Sequence, residues 1–246
     1  MKKLFLLAVV GLLFAACERP GTERGDNIIR NAVKDVDGNK YDAVKIGDQV
    51  WMASNLKTEH YADGSEIPMG GNTSSETEPY RYYPDNNSQN VNNYGYLYNW
   101  PAVMHGASSS ESNPSKVRGI CPKGWHVPSD AEWDELVDYV ENHPEQYGNS
   151  VAKALASNNG CWRASEGEGT PGCDQSSNNT TGFSAVPAGS CYDGDFESLG
   201  YATYFWSSTQ YGDYKAFSRE LYKNYSDVER SGDYRGVGFS VRCLRD

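Results

Sequence analysis

Apolar positions along this chain come mostly in short runs, separated by stretches rich in Gly, Asn, Ser and Pro, which predicts many brief strands joined by loops. Residues 33–36, then Asp37-Gly38-Asn39, then residues 40–46 read as strand, turn, strand, because Asp-Gly favours a hairpin. Gly47-Asp48 makes a second turn before a strand over 49–52. Residues 62–93, 106–119 and 157–182 read as loops. Between the first two, Tyr94, Tyr96, Tyr98 and Trp100 alternate in strand fashion. One helix stands out. Ser129 with Glu132 three residues on forms a capping box, and Trp133, Leu136, Val137 and Val140 share a helical face, predicting a helix over 130–142. A weaker one is expected over 151–156, and further short strands over 183–187, 204–208, 216–222 and 237–244. The fold class expected is α+β, a single domain of short antiparallel strands with one or two helices and long loops.

The N-terminus has a different texture. Lys2 and Lys3 precede an apolar run over 4–14, then Ala15, Ala16 and Cys17. The run is shorter than the ~20 residues a helix needs to cross a bilayer core. It has the form of a secretory signal, and Phe14-Ala15-Ala16-Cys17 resembles the lipobox of bacterial lipoproteins, in which the Cys is acylated. An ordinary signal peptide cut near Ala16 is the alternative. The expected organisation is a signal peptide over 1–16, a lipidated tether over 17–32 beginning at Cys17, and one domain over 33–246. The expected location is the outer membrane of the cell envelope, exposed at the surface, with the lipid anchor as the membrane contact. Only Glu18 places an acidic residue next to Cys17, before Arg19.

Composition narrows the partners. A formal net charge of −11 repels phosphate backbones, so no nucleic acid partner is expected. With 18 Tyr and 6 Trp the chain has the aromatic content of a packed domain rather than a disordered one. Cys121, Cys161, Cys173, Cys191 and Cys243 are an odd number of thiols for an exported chain, so at least one is left over. The expected pairs are Cys121–Cys243, tying the C-terminus to the middle of the domain, and Cys161–Cys173, closing a Gly- and Asn-rich loop. Cys191 is then free; its pairing with Cys161 or Cys173 is the competing arrangement.

Five blocks then carry a family pattern: residues 44–56 (VKIGDQVWMASNL), 94–100 (YGYLYNW), 121–133 (CPKGWHVPSDAEW), 205–209 (FWSST) and 238–246 (GFSVRCLRD). In order and spacing they resemble the Fibrobacter succinogenes major paralogous domain family, over about residues 33–246. The resemblance implies a fold distantly related to the C-type lectin-like fold that formylglycine-generating enzymes also use, in exported or surface proteins. It implies no particular activity. Cys121 and Cys243 lie in matching blocks; the other three thiols lie where the family varies.

Catalytic signatures are sparse. His126 sits in the Trp-His-Val-Pro block and reads as a hydrogen-bonded structural residue, while His60 and His143 stand in polar loops. No Gly-x-Ser-x-Gly elbow is present. Cys191 would need an activated thiolate and further cysteines to act as a nucleophile. Asp35 to Asn39 fails the EF-hand register, since Gly38 stands fourth where that loop needs Gly sixth. Asp193, Asp195 and Glu197, or Glu166 and Glu168, offer oxygens for Ca²⁺ but read as solvated loops, so no cofactor is expected. The chain is therefore expected to be no enzyme but a surface binding or adhesion module for a glycan or protein. The alternatives are a structural envelope protein and an enzyme on a formylglycine-generating-enzyme-like scaffold. Tyr82, Tyr83, Tyr96, Tyr98 and Trp100 are the expected ligand-binding residues, since aromatic faces with hydroxyls suit glycans and peptides. Tyr192, Tyr201, Tyr204, Tyr211 and Tyr214 are similar candidates in the later loops.

Overall fold

The computed structural model describes residues 27–246, so the expected signal peptide and lipidation site Cys17 lie outside the described residues. The chain opens with β1 (Ile28–Lys34), β2 (Lys40–Ile46) and β3 (Gln49–Met52). Next come β4 (Arg81–Tyr82), α1 (Val91–Tyr94), β5 (Leu97–Tyr98) and α2 (Trp100–Met104). The middle holds β6 (Trp125–His126), α3 (Asp130–Glu141), α4 (Pro144–Tyr147) and α5 (Val151–Leu155). The last third holds β7 (Ser190–Tyr192), β8 (Asp195–Glu197), β9 (Ala202–Tyr211), β10 (Lys215–Tyr222), β11 (Glu229–Tyr234) and β12 (Leu244–Arg245). This is an α+β arrangement of antiparallel sheets and short helices.

The main sheet runs β1-β2-β3-β12-β6, so the C-terminal strand inserts between an early strand and a middle one. Both faces of that sheet are covered. Period-two alternation in β2 sends Tyr41 and Ala43 into one buried cluster and Val44 and Ile46 into another. On the second face α3 docks through Trp133, Leu136 and Val140. The Trp133 ring lies 4.5 Å from Trp51 and 5.5 Å from Phe205. Each such tryptophan removes roughly 200 Å² from water, about 5 kcal/mol at 25 cal/mol per Å². A Cys121–Cys243 disulfide crosses the first cluster and fixes the end of the chain to the segment before β6.

The helix begins where its sequence signal stands. Ser129 Oγ accepts the Glu132 amide at 3.2 Å and Glu132 Oε2 accepts the Ser129 amide at 2.8 Å, completing the capping box. A charged network then ties α3 to the second sheet, β11-β10-β9. Buried Arg219 bonds Asp130 at 2.6 Å and also Asp134, and Arg230 bonds Asp130 at 2.7 Å. Burial opposes ionisation of Asp130, yet Arg230 and Arg219 hold its carboxyl below the usual range.

Several expectations are corrected by packing. The tether does not reach residue 32, because β1 starts at Ile28. Ile28 and Ile29 pack against the core, while a bulge between Ile29 and Val33 interrupts the alternation that would have marked the strand. Only Leu97–Tyr98 of the 94–100 run is a strand, since Asn99 caps α2 by accepting the Ala102 amide. Residues 183–187 form no strand: Ser184 holds left-handed backbone, and the run carries a single isolated β-bridge, Ala156 to Ala185. The Cys161–Cys173 pair does not form: Cys173 carries a free thiol. That loop is instead held by the Lys153 ammonium, which donates to the carbonyls of Thr170, Cys173 and Asp174 and to Asn178 Oδ1.

Candidate functional site

The five expected ligand-binding aromatics are mostly core residues. Tyr82, Tyr96, Tyr98 and Trp100 are 1%, 4%, 0% and 7% exposed, Tyr82 in a small separate cluster, and Tyr83 is half-buried against the cluster of the other three. Their polar tips find partners inside the protein, which is how a tyrosine-rich run can be buried without loss. Tyr98 donates to Thr58 O at 2.7 Å, Tyr82 to Thr73 O at 3.0 Å, and Tyr96 to Glu59 Oε1 at 2.9 Å. The Trp100 indole donates to Ser207 O at 2.9 Å. Among the later tyrosines Tyr192, Tyr201, Tyr211 and Tyr214 are exposed and Tyr204 is half-buried.

His126 is the sole imidazole locked into the core. Its Nε2 meets Glu132 Oε1 at 2.8 Å and its Nδ1 meets Asp246 Oδ1 at 2.9 Å, so both ring nitrogens are occupied. Burial works against its charge, but the two carboxylates raise its pKa above the ordinary value. Cys191 sits elsewhere, among Tyr82, Leu97 and Ala188, and burial pushes its thiol up to about 11. The Asp35 to Asn39 segment is the β1–β2 hairpin turn, with Gly38 at φ +89° and Asp35 Oδ1 accepting the Asn39 amide at 2.8 Å. Among the described residues no group of three or more His, Cys, Asp or Glu side chains is placed to hold a metal ion. No helix there is long and apolar enough to cross a membrane.

A groove of about 400 Å³ lies elsewhere, lined mostly by Asn, Ser and Thr side chains, with Arg30, Lys40, Asp42, Ile28 and Val186 among them. One wall is the edge of the main sheet. The bulge in β1 turns Arg30 and Asn31 toward Asp42 on β2; Arg30 Nη1 lies 2.7 Å from Asp42 Oδ2, and the Asn31 amide donates to Asp42 Oδ1 at 2.8 Å. The opposite wall is Ser157, Asn158 and Asn159 after α5, with Asn179 to Ser184 beside them. Asn179 and Ser184 bond reciprocally, each contact at 2.8 Å. Asn93 of α1 also lines the groove, and Asn55 follows β3 at its base.

Buried Arg242 fixes that base. Its Nε donates to Asn55 Oδ1 at 2.7 Å, its Nη2 to Ser184 O at 2.8 Å and its Nη1 to Met52 O at 2.8 Å. Its guanidinium also stacks 4.5 Å from the Phe183 ring. One side chain therefore clamps the two walls to each other. Three non-glycine residues of the lining hold left-handed backbone: Asn31 at φ 47°, Asn179 at 68° and Ser184 at 59°. Asparagine tolerates that region, but for serine it costs about 1 kcal/mol or more, and such strain collects at ligand sites. By contrast the Asn93 and Asn158 carboxamides make no hydrogen bond among the described residues, leaving donors and acceptors directed to solvent.

None of these groove residues stands out in the sequence, because the lining comes from six separated segments. The signal that points to them is the pair of amide-rich runs Ser157-Asn158-Asn159 and Asn178-Asn179-Thr180-Thr181, which read simply as loop.

The family model of the Fibrobacter succinogenes major domain matches residues 44–245. No curated protein and no solved structure matches the chain.

Proposed function

The chain belongs to the Fibrobacter succinogenes major domain family, whose match covers the base of the groove and its 157–184 wall, and we propose that it is a non-catalytic binding module of the cell envelope that takes a glycan in this groove. The observation that carries the proposal is the lining: mostly carboxamides and hydroxyls on a rigid base, two of the amides uncommitted, with Ile28 and Val186 as the larger apolar side chains among them. Such a surface matches the dense hydroxyls of a sugar, since each amide offers a donor and an acceptor. Catalysis has less support. Both His126 nitrogens are occupied, and Cys191 is a protonated, buried thiol in a different cluster. The anchor at Cys17, the outer-membrane location and the relation to the C-type lectin-like fold belong to the same proposal. The sequence before Ala16 supports the anchor, and the long loops hung on a short-stranded antiparallel sheet support the fold.

A glycan array probed with the full chain tests the reading. Binding should appear on a restricted set of glycans, and Asn93→Ala with Asn158→Ala together should weaken it about tenfold or more, since two hydrogen bonds at roughly 1 kcal/mol each are removed. Silence across plant, host and bacterial glycans, or binding indifferent to both substitutions, defeats it.

A further inference from the structure

Beyond the amide groove, a second arrangement gathers two cations on one exposed aromatic ring. Arg163 and Lys223 both lie over the ring of Tyr201, at 4.7 Å and 5.3 Å from its centroid, which puts the two cations within about 10 Å of each other. Among the described residues neither forms an ion pair, although the chain carries a net charge of −11. Tyr201 is 43% exposed and Arg163 is exposed.

The backbone is built to bring these groups together. The Arg163 amide donates to Gly200 O at 2.7 Å and the Lys223 amide to Tyr201 O at 2.8 Å, so Tyr201 and the residue before it hold the two cation-bearing segments. Gly172 donates to Lys223 O at 2.8 Å, and a Cβ on it would collide with Arg163 O at 2.5 Å and Lys223 O at 2.9 Å. Lys223 Nζ donates to Ala164 O at 2.7 Å, fixing the ammonium beside Arg163. The Arg163 guanidinium has no hydrogen bond among the described residues, so its planar fork of donors is open to a ligand.

We infer that Arg163, Lys223 and Tyr201 form an oxyanion subsite for an acidic glycan, with the sugar's carboxylate meeting the guanidinium fork and the ammonium. This rests on the glycan reading of the groove and names its ligand class. The two places adjoin along the chain: Arg163 follows the groove residue Asn159 by four positions, a reach of at most about 14 Å. A planar carboxylate suits the arginine fork, and a sulfate ester carries the same oxyanion chemistry.

The test uses the full chain and three probes: polygalacturonate, its methyl ester and dextran sulfate. Polygalacturonate should bind, and methyl esterification, which removes the charge and keeps the polymer, should abolish most of the binding. Arg163→Gln with Lys223→Gln should weaken it at least tenfold while the protein still unfolds cooperatively, its Tm lowered by only a few degrees for the lost Lys223–Ala164 bond and ring contacts. Binding of dextran sulfate alone, lost in the same double variant, keeps the subsite and assigns its oxyanion to a sulfate. Equal binding of acid and ester, or a double variant that binds like the parent, overturns the inference. If only Asn93→Ala with Asn158→Ala abolishes binding, the groove reading stands and this one falls.

Discussion

Replacing Glu132 by Gln isolates, at the start of α3, the one charge pair among the described residues in which both side chains are almost fully buried. Glu132 and His126 have side-chain exposures of 2% and 3%, whereas Asp246 on the other ring nitrogen is 59% exposed. Breaking a buried pair by removing one partner costs roughly 3–5 kcal/mol. Two features reduce that figure: the carboxamide oxygen can still accept the Ser129 amide, and Asp246 still faces the imidazole. The expected loss is about 2–3 kcal/mol, or roughly 5–10 °C in Tm for a domain of this size. It should depend on pH in a definite direction. His126 has a raised pKa when folded, so its contribution is complete below the unfolded value of about 6.5 and fades as pH rises through the folded value. Urea unfolding of parent and variant across pH 5.5 to 9 reads the difference directly. It should be largest near pH 5.5 to 6.5 and shrink above, down to what the hydrogen bond of a neutral imidazole to Glu132 supplies. A penalty that grows with pH, or one below about 0.5 kcal/mol throughout, refutes the account of this pair.

Other consequences are simpler to read. Cys121→Ser with Cys243→Ser opens a closure spanning 122 positions and should cost about 2–5 kcal/mol in denaturant unfolding. Tyr98→Phe removes the bond to Thr58 O and should lower stability by about 1–2 kcal/mol while leaving glycan binding unchanged, because the ring is in the core. A thiol titration of the native protein should modify half-buried Cys173 and spare Cys191, which should react only after unfolding.

The parts of this fold that can be read along the chain are those whose cause is local. Ser129 and Glu132 mark the start of α3, and Trp133, Leu136 and Val140 mark the face it buries. Asp37-Gly38 marks the β1–β2 turn. The aromatic run 94–100 reads as a binding surface in sequence yet is core in the fold. Alternating tyrosines imply that one side faces water, but the Thr58 carbonyl and the Glu59 carboxylate accept the Tyr98 and Tyr96 hydroxyls from within the protein. The groove was invisible for the opposite reason. Its side chains are ordinary loop polars, and Arg242, only four residues from the C-terminus, brings Asn55 and Ser184 together across long stretches of chain. The polar clamp of Lys153 similarly does the work that a Cys161–Cys173 bridge was expected to do.

The central claim is that the amide-lined groove is where a glycan binds, and a side-chain amide NMR titration of the full chain with a glycan selected from the array tests it most directly. The Asn93 and Asn158 carboxamide resonances should shift with saturating ligand, with those of Asn55 and Asn179 following as their surroundings change. Shifts confined to residues outside the groove, with these four unmoved at saturation, would contradict it.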